Sequence, residues 1–165
     1  MQTETCSACG LITEQFDGPV HQYLVSSPGC WAKFGEILAR EYENYEYISV
    51  HALTVDTYAL QHPGEASPQT ISSAYIHLAS LYSHFELEKP ISELAEVKQN
   101  LAGYKDRFTW LEPPENVTEI TVADILKSET PAQHREAVTR WATYVYQEWQ
   151  AHHPKVASLL SIVDN

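Results

Sequence analysis

A chain of 165 residues, 44 % hydrophobic and 11 % aromatic, is long enough to bury a core and too short to divide comfortably, so a single domain over residues 1–165 is expected. Its formal charge of −12 repels phosphate backbones and anionic headgroups, which argues against nucleic acid as a partner; no apolar run reaches the ~20 residues that span a bilayer, which argues against a membrane. Met1 to Glu4 lack the basic and apolar regions of a signal peptide and the three cysteines are an odd number, so a cytoplasmic protein with reduced thiols is expected.

The chain opens on a CSACG knuckle. The spacing Cys6-x2-Cys9-x11-His21-x8-Cys30 assembles three sulfurs and one imidazole, the donor set that tetrahedral zinc accepts, with the turn residue Gly10 after the second sulfur. Residues 1–30 are therefore expected to form a metal-binding arm, and residues 31–165 a mainly α bundle of four to five helices. Ser27 and Pro28 read as an N-cap followed by proline at the first helical position, and a helix with a stripe of Trp31, Phe34, Leu38, Tyr42 and Tyr45 is expected to run to about Glu43. Cys30 falls in its first turn, where backbone N–H groups favour a thiolate.

A second helix is expected from about Glu46 to Gln61, ended by His62-Pro63-Gly64. Ser67-Pro68 repeats the cap signal before a helix carrying Ile71, Tyr75, Leu78, Tyr82 and Phe85. Leu94, Val97 and Leu101 suggest a short helix, and Phe108 to Leu111 an extended segment. Thr121 with Asp124 resembles a cap, and Thr130-Pro131-x-Gln133 starts the last long helix, striped by Val138, Trp141, Val145 and Trp149 and expected to end at Pro154.

Three chemistries are open for the knuckle: a zinc ligand pair, a redox dithiol, or an incidental pair. A redox site belongs at a strand-to-helix junction in an α/β chain, which this is not. With Cys30 and His21 the donor set is complete, and a zinc so enclosed is structural rather than catalytic. If His21 is not the fourth ligand, the site takes a histidine from the helical core or keeps a water, and the second case opens a catalytic possibility.

The run VHALTVDTYALQHPG concentrates His51, Asp56, Tyr58, Gln61 and His62 on a helix that otherwise reads as buried. His51 and His62 lie about 16 Å apart along a helix and cannot share an ion. His77, on the next helix, could approach His62 or Asp56, either as a pocket for a second metal or acid–base work or as a packed polar network. Dinucleotide, Walker, G-x-S-x-G and H-E-x-x-H motifs are absent from the sequence.

CSACG, DGPVHQY, SSPGCW, VDTYALQHPG and the helix carrying His77-Leu78 together resemble an uncharacterised bacterial family of small cytoplasmic proteins classed as a domain of unknown function. The resemblance covers about Cys6 to Leu81 and maps its pattern onto Cys6, Cys9, His21, Cys30, Trp31, Asp56, Tyr58, Gln61, His62, Pro63 and Gly64. It implies that these residues belong together; no activity comes with it.

The reading that follows is a zinc-organised binding or interaction protein holding the ion through Cys6, Cys9, His21 and Cys30, with a small molecule or protein as partner and homo-oligomerisation open. The alternative is a metal-dependent hydrolase or other small-molecule enzyme using Asp56, His62 and His77 with Tyr58 or His51.

Overall fold

Helix caps written in the sequence set most of the architecture. The computed structural model describes residues 1–115 and 117–165, and the described residues are mainly helical, with eight α-helices and one two-stranded sheet. The sheet belongs to the arm: β1 (Thr3–Thr5) pairs antiparallel with β2 (Ile12–Glu14), with Glu4 opposite Thr13, and the CSACG knuckle is the turn between them. Gly10 has φ +76, the left-handed conformation that glycine adopts without steric cost, and its N–H closes the knuckle onto the Cys6 carbonyl at 2.8 Å. The sequence reading contains no strand here; each has only three residues and no long alternating pattern to betray it.

Helix α1 (Pro28–Glu43) starts as expected, with Ser27 Oγ accepting from the Cys30 N–H and proline in the first turn. Its buried residues are Gly29, Cys30, Phe34, Ile37 and Glu41: Phe34 is shared with the expected stripe, Cys30, Ile37 and Glu41 precede Trp31, Leu38 and Tyr42 respectively by one position, and Tyr42 and Tyr45 stand exposed. The expected second helix is two helices. Asn44 Oδ1 accepts from the Glu46 N–H to cap α2 (Tyr45–Ile48), and the chain resets at Ser49-Val50 before α3 (His51–Gln61).

Helix α3 is the centre of the molecule. It packs against α4 (Pro68–Phe85) on one side and α7 (Pro131–Glu148) on the other, and eight of its residues, from Leu53 to Gln61, are buried. Its buried polar side chains have partners, apart from the Thr57 hydroxyl, which has none among the described residues. Gln61 Nε2 donates to the Val117 and Ile120 carbonyls while its Oε1 accepts from Trp141 Nε1, and Trp149 Nε1 donates to the Leu60 carbonyl. Beyond it, Gly64 passes so close to the segment leading into α1 that a Cβ would meet the Tyr23 carbonyl oxygen at 1.9 Å. That approach, with the Val25 N–H donating to the His62 carbonyl at 3.0 Å, lays residues 23–25 across the C-terminal end of α3.

The remaining helices are α5 (Leu94–Leu101), α6 (Val122–Leu126), whose Thr121/Asp124 capping box is complete, and α8 (His153–Val163). Arg40 of α1 donates to the Ile125, Leu126 and Ser128 carbonyls, filling orphan acceptors at the end of α6. Phe108 is extended, at φ −75 and ψ 137, and the residues from Phe108 to Leu111 belong to no helix and to no strand described in the structure. One expectation fails. Pro154 does not end the last helix: α7 stops at Glu148, and Pro154 sits in the first turn of α8, where its missing N–H costs nothing.

Candidate metal centre

Cys6, Cys9, Cys30 and His62 each bring one donor atom into a group in which all four atoms lie within 4.8 Å of one another. The knuckle supplies two sulfurs, the first turn of α1 the third, and the C-terminal end of α3 the imidazole. Each residue is 0 or 1 % exposed, so water has no free path to the group. Cys9 Sγ and Cys30 Sγ are 3.7 Å apart, far beyond a disulfide bond, and Cys30 Sγ is 3.3 Å from His62 Nε2. Four tetrahedral bonds of ~2.3 Å put neighbouring sulfurs about 3.8 Å apart, so the Cys9–Cys30 separation matches that of two thiolates on one tetrahedral ion.

The imidazole is held in the tautomer such a site needs. His62 Nδ1 donates to the Tyr58 carbonyl at 2.9 Å, leaving the Nε2 lone pair directed at the sulfurs. Its ring stacks on Tyr58, and Tyr58 stacks in turn on Phe34, at centroid distances of 3.9 and 3.8 Å. The Tyr58 hydroxyl lies 3.5 Å from Cys30 Sγ; burial first, and then the charge of Cys30, push its pKa upward, which keeps it a donor to the sulfur.

The thiols themselves are unequal. Hydrogen bonds from Cys30 and then Cys9 pull Cys6 far below the ordinary thiol range. Cys9 is pulled down by Cys30, but the opposing effects of Cys6 and of burial leave it pushed up to about 12. Cys30 is raised strongly by its hydrogen bonds to Cys6 and Cys9 and by burial. One thiolate thus forms readily and makes the next two costly, unless a cation takes the place of the protons.

His21 stands outside this group. Its Nδ1 accepts from the Tyr23 and Leu24 N–H groups, both at 3.2 Å, and its ring packs edge-on to Tyr23 and Trp31. The place expected for it at the sulfurs is held by His62, a histidine from the helical core.

The residues proposed for a single catalytic cluster separate into three places. Tyr58 and His62 belong to the sulfur group. Asp56, fully buried, accepts from His77 Nδ1 at 2.7 Å, Lys98 Nζ at 2.8 Å and Ser80 Oγ at 2.5 Å. Burial raises the Asp56 pKa, but the His77 hydrogen bond and charge and the Lys98 charge outweigh it and hold the carboxyl below its ordinary value. His51 joins a network that sequence reading missed: Glu41, also fully buried, accepts from His51 Nδ1 at 2.8 Å, from His134 Nε2 at 2.9 Å and from Thr54 Oγ1. Burial lifts the Glu41 carboxyl, and the donors, His134 foremost, bring it below the usual range. Its signal was present as a polar residue at helical spacing from Phe34 and Ile37, and His134 likewise precedes Val138 and Trp141 by helical steps.

The family of unknown function DUF5946 matches residues 4–150. The chain belongs to DUF5946. The DUF5946 segment takes in the sulfur group and both carboxylate networks, while α8 lies beyond it. No curated protein and no solved structure matches the chain. Among the described residues of this DUF5946 member, no helix is long and apolar enough to cross a membrane.

Proposed function

We propose that Cys6, Cys9, Cys30 and His62 hold one structural zinc ion that fastens the N-terminal hairpin and the start of α1 to the end of α3, and that the protein serves a binding or interaction role in the cytoplasm. The observation that carries this reading is the 3.7 Å sulfur spacing in a buried Cys3His set whose imidazole presents its bare nitrogen. Three sulfurs and one imidazole favour zinc over hard cations, and four protein donors leave no open position for a reacting water.

Elemental analysis of untagged protein prepared under reducing conditions tests it. About one zinc per chain is expected, abolished by Cys9→Ser and by His62→Ala but retained by His21→Ala. Loss of zinc in His21→Ala with retention in His62→Ala would exchange the two histidines; protein that neither carries nor takes up zinc would end the reading.

A further inference from the structure

The Asp56–His77 pair is not sealed in the core. The exposed side of α4 lines a cleft of about 410 Å³ whose polar groups come from Tyr23, Gln69, Ser72, Ser73, His77 and Lys105, a size suited to a small molecule. His77 is tied by Nδ1 to Asp56, so in the neutral ring the proton sits on Nδ1 and Nε2 carries the lone pair. Nε2 has no hydrogen-bond partner among the described residues and is not among the sequestered atoms, so it is free to meet a ligand.

The electrostatics of the cleft differ from those of the whole protein. The chain carries 22 acidic residues, yet none lines this cleft. Lys105 is exposed there with no ion-pair partner among the described residues, whereas Lys98 is already committed to Asp56 at 2.8 Å. The cleft also takes in Pro68 in the first turn of the 18-residue helix α4, whose dipole is positive at that end.

We propose that this cleft is a second site, separate from the sulfur group, that binds a small organic oxyanion, a carboxylate or phosphomonoester, with Lys105 holding the negative group and His77 Nε2 accepting a proton from the bound molecule. In that step the ligand's X–H bond breaks and its electron pair stays on X. A new Nε2–H bond forms, and the imidazolium is paired through its Nδ1–H with Asp56, which Lys98 and Ser80 hold in place. Return of the same proton to the ligand at X or at a neighbouring atom restores His77, so no co-reactant is needed. Asp56 is a positioning residue here, fixing the tautomer of His77.

The test is nitrogen-15 NMR of protein labelled in its histidines, titrated separately with inorganic phosphate and with succinate. At a pH where the ring is neutral, the free protein is expected to show the His77 proton on Nδ1 and Nε2 bare, and the Nε2 resonance is expected to move saturably with at least one anion. Response to phosphate alone assigns a phosphomonoester, to succinate alone a carboxylate, and to both a general oxyanion site. Lys105→Ala, an exposed change that leaves the core intact, is expected to weaken binding by about tenfold or more. A free protein with Nε2 protonated, no saturable shift with either anion, or equal affinity in Lys105→Ala would overturn the proposal. Zinc content does not enter, because none of these residues belongs to the sulfur group.

Discussion

Removing zinc with a chelator should lower the midpoint of thermal unfolding by roughly 8–16 °C, the result of losing about 4 kcal/mol at a few degrees per kcal/mol for a chain of this size. The size of the effect follows from where the four ligands lie. They come from three segments distant in sequence, the hairpin turn, the first turn of α1 and the end of α3, so an ion held by all four would cross-link parts that the unfolded chain keeps apart. Stripping it leaves a pocket of buried thiols in which one charge already opposes the next. Differential scanning calorimetry with and without chelator, under reducing conditions, measures the shift. The bundle contributes its own core around Leu53, Leu78 and Trp141, so the metal-free protein should unfold earlier rather than be unfolded from the start. An unchanged midpoint in protein shown to have lost its zinc would mean that the ion fastens nothing.

Glu41→Ala should cost about 3–5 kcal/mol, because it removes the shared acceptor of three donors and leaves a cavity among α1, α3 and α7. His134 is fully buried, and its other nitrogen, Nδ1, already lacks a partner, so without Glu41 neither ring nitrogen would be satisfied. Urea unfolding of the variant gives the value directly, and a loss below about 1 kcal/mol would show that the network contributes little beyond filling space. Zinc content should stay at the wild-type level, since no residue of this network belongs to the sulfur group.

The same carboxylates should set the acid limit of the fold. Glu41 and Asp56 both ionise more easily when folded than in the open chain, so as the pH falls the unfolded state takes up their protons first. Their contribution is present in full above the ordinary carboxyl range, about pH 4–5, and is lost as the pH falls from there through the depressed folded values. Urea midpoints measured across that window should decline more steeply in the wild type than in Asp56→Asn; parallel curves would remove Asp56 from the account.

What could be read along the chain was local. Ser27-Pro28, Ser67-Pro68 and Thr121 with Asp124 mark helix starts because a cap concerns a hydroxyl or carboxylate and N–H groups within one turn of it. Cys6, Cys9 and Cys30 stood out because three soft donors near a tight turn are rarely idle. Asp56 and His77 were recognisable as possible partners once their helices were seen to be consecutive. Pro154 misled because a proline that stops one helix and a proline that opens the next look alike from one side.

The choice between His21 and His62 was decided only in three dimensions. In sequence His21 lies between the cysteines, while His62 is more than thirty residues beyond Cys30. In the folded chain the N–H groups of Tyr23 and Leu24 occupy His21 Nδ1, and the packing of α3 against α1 delivers His62 Nε2 to the sulfurs. Glu41 was hidden for a related reason. The aromatic residues of α1 suggested one buried face, and the neighbours supplied by α3, α6 and α7 selected the adjoining face instead. Residue chemistry and local spacing named the kinds of site this protein has; which members of equal chemistry fill them depends on helix packing, because that is settled by contacts between segments far apart in the chain.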